Sequence, residues 1–155
     1  MRNISLKKSG ESISPEEIEQ VESELGVKLP SSLKSFYADK NGGVPEPNCW
    51  IRDDSDPLCV HRFLPMKYPG GNLTIEALYK RGLEKDFLPD DLIPFAVDSG
   101  SNFFCVDSED RVFFYAMDSW RDKLSSDENK ARARKFLANS FDEFIGGLTT
   151  EPEDY

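Results

Sequence analysis

Apolar residues recur at helical spacing in Ile18, Val21 and Leu25, and glutamates fill most of the positions between them. That spacing predicts an amphipathic helix that buries one stripe and leaves an acidic face to solvent. Ser14 is placed as its N-cap, Pro15 as its first residue and Glu17 as the far half of a capping box, while Ile13 can staple onto Ile18 across the cap. Gly26 suits the left-handed residue that ends such a helix. Pro30 drives Leu29 into an extended conformation, and a second helix starts there. Leu33, Phe36 and Tyr37 line its inner face, and Asn41-Gly42-Gly43 stops it.

The middle of the chain changes period. Residues 44–51 carry two prolines and read as a short strand mixed with loop, residues 53–57 as loop, and residues 60–67 alternate in the manner of a strand. Gly70-Gly71 breaks the chain before a short helix over about residues 74–81. Residues 92–96 form a strand whose Pro94 points to an edge or end position. Two aromatic runs, Phe103-Phe104-Cys105-Val106 and residues 112–117, flank five polar residues and predict a β-hairpin. Residues 123–135 are charged and read as partly helical or loose. Ser140 with Glu143 opens a last helix that buries Phe141, Phe144, Ile145 and Leu148.

Helices first, strands in the middle and a helix last predict a single α+β domain. Its central sheet is largely antiparallel, with the N-terminal helix pair and the C-terminal helix packed over one face. Residues 1–12 are expected as a flexible lead-in, 13–148 as the domain and 149–155 as a disordered acidic tail. The 155 residues suffice for one core that buries roughly 70% of the unfolded surface, and eleven phenylalanines supply much of its apolar area.

A net charge of −10 disfavours nucleic acid and anionic membranes as partners, and either favours basic ones or serves solubility alone. Apolar runs fall well short of the roughly 20 residues that span a bilayer, and the polar start lacks a signal-peptide core. A cytoplasmic location is expected. In that compartment Cys49, Cys59 and Cys105 are expected as reduced thiols, with Cys105 a small core residue. Lys130, Arg132, Arg134 and Lys135 form a basic island, read as a solvated face or as partners of neighbouring carboxylates.

Candidate chemistry is sparse. Cys49, Cys59, His61 and Cys105 match no structural zinc spacing. His61 is the one histidine, has no nucleophile-elbow glycines to serve, and reads as a half-buried structural residue in a strand. Asp53, Asp54 and Asp56 cluster without the glycine and distal glutamate of a calcium loop. No catalytic residues, cofactor or metal are therefore assigned. Trp50, beside the acidic loop, and Trp120, after the hairpin, are large rings near turns that can anchor an interface. Trp50, Asp53, Asp54, Asp56, Asp118 and Trp120 are the candidate partner-binding residues.

Glu22, Leu25-Gly26, Leu29-Pro30, Phe36 and Asn41-Gly42-Gly43 together resemble the N-terminal signature of the SUKH superfamily, which contains bacterial immunity proteins and fungal regulators of cell-wall synthesis. The likeness continues through residues 92–96, Asp98, Gly100-Ser101-Asn102, the hairpin and residues 140–144. Leu33 stands where members often carry an aromatic, and Glu109-Asp110 where a glycine is frequent. The resemblance implies a non-enzymatic binding module, in bacteria commonly an antidote to a polymorphic toxin, often a nuclease. The expected function is thus neutralisation of a cognate toxin domain with a basic surface. The alternatives are a regulatory or scaffold module that binds an endogenous partner, and a small hydrolase using His61 or the acidic loop.

Overall fold

A computed structural model describes residues 4–52, 55–71 and 73–150. Its first half contains β1 (Ser5–Lys7), α1 (Pro15–Leu25), α2 (Ser31–Asp39), β2 (Val44–Glu46), β3 (Cys49–Trp50), β4 (Leu58–Cys59), β5 (Arg62–Phe63) and α3 (Ile75–Glu84). There follow β6 (Ile93–Val97), β7 (Phe103–Val106), β8 (Val112–Tyr115), a 3-10 turn (Met117–Ser119), α4 (Ser126–Ala133), β9 (Arg134–Ala138), α5 (Phe141–Gly147) and β10 (Leu148–Thr149). Among the described residues the strands form a main sheet in the order β5-β6-β7-β8-β9, a small sheet β10-β3-β4 and the pair β1-β2, all antiparallel. The α+β class and the antiparallel sheet are those the residue pattern predicts.

The opening helices form for the local reasons visible in the chain. Ser14 Oγ accepts from the Glu17 amide at 3.1 Å, Glu17 Oε1 accepts from the Ser14 amide at 3.0 Å, and Gly26 ends α1 in the left-handed region at φ 67°. Glu22 is a strut across the link that follows. Its carboxylate accepts from the Leu29 amide at 2.7 Å and pairs with Lys34 at 3.4 Å, which ties the end of α1 to the start of α2.

The residues after α2 bring four segments together. Asn41 is buried; its side-chain amide donates to the Glu11 and Met66 carbonyls and its oxygen accepts from the Met66 amide, each at 2.8 Å. Gly42 has φ 79°, and a Cβ there would stand 2.8 Å from the Phe63 carbonyl oxygen. Gly43 exchanges both backbone hydrogen bonds with Phe63, at 3.0 and 2.8 Å, and so joins the chain entering β2 to the main sheet.

The aromatic hairpin β7-β8 is buried on both faces. Phe104 packs against Phe114 and against Phe144 of α5, whereas Phe103 and Tyr115 stack on the opposite face. There Phe87, in the segment after α3, meets Phe103, and its carbonyl accepts from the Tyr115 hydroxyl at 2.6 Å. Helices over one face therefore describe half of the packing. Phe95 of β6 joins the layers, with edge contacts to Phe141 and Phe144, a stack on Phe63, and a carbonyl that accepts from the Tyr37 hydroxyl.

Several expectations change. The lead-in is not loose throughout, because Ser5–Lys7 pairs with Val44–Glu46. Residues 151–155 of the expected acidic tail lie outside the described residues. β6 is not an edge strand, since it lies between β5 and β7; Pro94 instead takes the end position the proline also allowed, second in the strand, where the ladder shifts register before Ala96. Residues 60–67 contribute only the short β5. The charged segment contains α4, capped by Ser125 and Glu128, and then β9, which the density of Lys and Arg concealed. Two members of the basic island are paired: Lys130 binds Asp86, and Arg134 contacts Asp91 at 2.9 Å while lying over the Phe113 ring. Only half of the capping box at α5 forms, since Glu143 accepts from the Asn139 amide instead of that of Ser140.

Cys49 and Cys59 are not separate thiols. Antiparallel pairing of β3 with β4 sets them opposite each other, with Cα atoms 4.0 Å apart, and they form a disulfide. Cys105 remains a free, buried core thiol whose pKa burial pushes up.

Three outcomes are expected. Asn41→Ala strands buried donors and acceptors and should lower unfolding free energy by about 2–4 kcal/mol in urea titrations; a loss below about 0.5 kcal/mol would contradict the junction's role. Iodoacetamide in denaturant should modify one cysteine of the air-oxidised protein without reductant and three with it; three in both cases would disprove the disulfide. Hydrogen bonds from Lys67, then Tyr68, then the Ser14 amide hold the Glu17 carboxyl down at about 2. A folded-state pKa below the unfolded value gives stability that is complete above the ordinary carboxylate range and is lost as pH falls toward 2. Glu17→Gln should therefore flatten the urea midpoint's decline across that acid window, and parallel profiles would rule the linkage out.

Candidate functional site

The six residues singled out from the sequence do not form one constellation. Trp50 lies in β3 between Leu148 and Leu58, and its half-buried ring stacks on Phe144 with centroids 5.4 Å apart. A Cβ at residue 147 would approach the Trp50 ring to 2.5 Å, so Gly147 is the space this ring needs. Asp56 is exposed, and its carbonyl accepts two hydrogen bonds from the Arg52 guanidinium, at 2.9 and 2.7 Å, which closes the loop between β3 and β4. Asp53 and Asp54 lie outside the described residues.

Asp118 and Trp120 occupy another region, at the end of the hairpin. The side chain of buried Asn102 accepts from the Asp118 amide at 3.2 Å and donates to the carboxylates of Asp98 and Asp118. Trp120 is half-buried beside a hollow of about 600 Å³ that it shares with Arg121, Asp122, Lys123, Leu124 and Arg132. Its surroundings are thus more basic than acidic. Among the described residues no hydrogen bond, ion pair or ring contact joins Trp50 or Asp56 to Asp118 or Trp120.

His61 sits on an exposed bend between β4 and β5, not half-buried in a strand, and its backbone amide donates to the Val97 carbonyl. The same groove contains Asp98, Ser99 and Ser101, yet Asp98 spends its carboxylate on the Gly100 and Asn102 amides and the Asn102 side chain. Among the described residues the imidazole has no hydrogen bond to a serine or a carboxylate, so no nucleophile–base relay is assembled. Nor do three or more His, Cys, Asp or Glu side chains among them converge as metal ligands. No helix of the described residues is long and apolar enough to cross a membrane.

The tertiary fold does build an acidic hollow of about 660 Å³ from three distant segments. The N-terminal turn of α2 contributes Ser31, Ser32 and Ser35; the β7-β8 turn contributes Glu109 and Asp110; and the first turn of α5 contributes Asp142. Buried Asp107 organises that turn, since its carboxylate accepts from the Glu109 and Arg111 amides and from the Arg111 guanidinium. Asp110 adopts φ 71° and accepts from the Phe141 amide at 3.0 Å, which fastens the turn to α5. Ser32 Oγ is shielded from solvent and has no hydrogen-bond partner among the described residues. Carboxylates and hydroxyls around an open hollow can receive an ammonium or guanidinium group by charge-assisted hydrogen bonds. The acidic run 107–110 and the α5 cap are each visible in the sequence; their meeting is not, because 31 residues separate Asp110 from Asp142.

Among curated proteins none matches the chain significantly. The profile of the SMI1/KNR4 family (SUKH-1) matches residues 12–147, from the residue before Ile13 through the whole of α5. The signature residues lie within that match and have the structural duties described above: Glu22 braces the two helices, Gly26 ends the first, and Asn41-Gly42-Gly43 ties four segments together. The chain belongs to the SMI1/KNR4 (SUKH-1) family.

Proposed function

We propose that this protein is a non-enzymatic antidote that binds and neutralises a polymorphic toxin domain whose substrate surface is basic, as in a nuclease. The observation that carries this reading is the acidic hollow of Glu109, Asp110 and Asp142 on a chain of net charge −10. An acidic face steers a basic partner into encounter and complements it on contact. Exposed Asp56 and the half-buried ring of Trp50 extend the candidate contact set beyond the hollow. Binding without cofactor, metal, nucleic acid or membrane completes the proposal. Family membership also fits a regulatory module with an endogenous partner, and the experiment separates the two.

The test starts from the adjacent reading frame, which the proposal expects to encode a protein with a toxin-like C-terminal domain. Co-expression should restore growth of cells that produce the toxin, and absence of rescue would favour the regulatory role. Association measured by stopped flow should slow by about tenfold or more between low and high salt, because exposed charge is screened. Glu109→Lys with Asp142→Lys should slow association by about tenfold at low salt while leaving the thermal midpoint nearly unchanged. A rate indifferent to both salt and charge reversal would remove the electrostatic basis of the proposal.

A further inference from the structure

A second surface has the opposite chemistry. Where α3 ends beside the start of the hairpin, a groove of about 680 Å³ runs between the last turn of α3 and the ends of β6 and β7. That volume lies within the range of sites that receive a ligand or the side chains of a partner. Its floor is apolar, with half-buried Phe87 and Val97 and largely buried Phe103. Arg81, Lys85 and exposed His61 also line it.

The rim cations are unsatisfied. Lys80, next to Arg81, pairs with Glu24, and Lys130 pairs with Asp86, next to Lys85. Arg81 and Lys85 have no carboxylate partner among the described residues. Asp98, the acid in the lining, is held by the Gly100 and Asn102 amides. Cations at the C-terminal end of a helix offset its dipole. That accounts for their position on α3 and not for the open apolar floor beneath them. In a protein of net charge −10, two cations without a carboxylate partner among the described residues set this rim apart from the molecule's overall charge.

We propose that this groove docks an extended acidic peptide segment of a partner protein, in which two carboxylates flank one large apolar side chain. The spacing matches that occupant. Residues four apart on a helix stand about 6 Å from each other on one face. Alternate residues of an extended chain repeat at about 6.6–6.8 Å. Carboxylates at alternate positions can therefore meet Arg81 and Lys85 together, while the residue between them turns toward Phe87, Val97 and Phe103. The acidic hollow and this groove lie at opposite ends of β7, one beyond Val106 and the other at Phe103. One molecule can thus hold a basic surface and an acidic segment at once. The proposal does not depend on the toxin reading.

Selection of phage-displayed random dodecamers on the full-length protein should enrich Asp/Glu–apolar–Asp/Glu sequences. An enriched peptide, synthesised with a fluorescent label, should bind with an affinity that falls at least about tenfold in Arg81→Glu/Lys85→Glu. Lys123→Glu, a cation removed from a different hollow, and Glu109→Lys/Asp142→Lys should leave that affinity within about twofold, which separates this groove from the acidic hollow. Amide shifts on titration should centre on residues 61, 81–87 and 97–103. Enrichment of basic sequences, indifference to the charge reversal at Arg81 and Lys85, or shifts centred elsewhere would overturn the proposal. Self-association abolished by that same reversal would assign the groove to a second copy of this chain and would overturn it as well.

Discussion

The fold depends first on the hydrogen bonding of Asn41. One buried side chain satisfies two carbonyls and one amide from segments that lie before α1 and after β5, while its own carbonyl accepts from the Gly10 amide. Irregular backbone of this kind is expensive to bury unless every polar group finds a partner. Asn41 supplies the partners, and the two glycines after it allow the chain to pass within contact distance of Phe63 and Lys7. The helix pair, the β1-β2 ribbon and the main sheet are therefore fixed relative to one another at a single crossing.

Aromatic packing does the rest of the positioning. Phe95 bonds through its carbonyl to Tyr37 and packs its ring against Phe63, Phe141 and Phe144, so α2, α5 and the sheet share one joint. Trp50 closes that core at its rim, against Phe144 and Gly147. A ring so placed stabilises the small sheet and also presents an edge to solvent. Because the core is held on both faces of the hairpin, the turn at Asp107–Arg111 and the opposite end at Phe103 are rigid platforms. Charged side chains mounted on them can be preorganised for partners of opposite sign.

Much of this was legible locally. The cap of α1, its glycine stop, the start of α2, the aromatic hairpin and the apolar stripe of α5 follow from side-chain chemistry acting within a few residues. Misreadings arose where a neighbour in space overrode a local preference. Pro94 occupies an inner strand because it stands near its start, outside the ladder with β5 and at a register shift against β7. β9 opens on Arg134, whose charge is taken up by Asp91 and the Phe113 ring, while Lys130 of the preceding α4 pairs with Asp86. Cys49 and Cys59 are bonded because strand register, invisible in their spacing, sets them face to face.

The sequence alone determined the elements whose causes are local: helix caps, turn residues, alternating apolar faces, and the combination of motifs that resembles one family. It also determined net charge, and with it the sign of partner the molecule as a whole attracts. Tertiary structure decided which charges share a surface. Glu109, Asp110 and Asp142 meet only because α5 returns to the hairpin turn, and Arg81 and Lys85 face an apolar floor only because α3 ends above Phe103. Such juxtapositions depend on long-range closure of the chain, and no local spacing of residues encodes them.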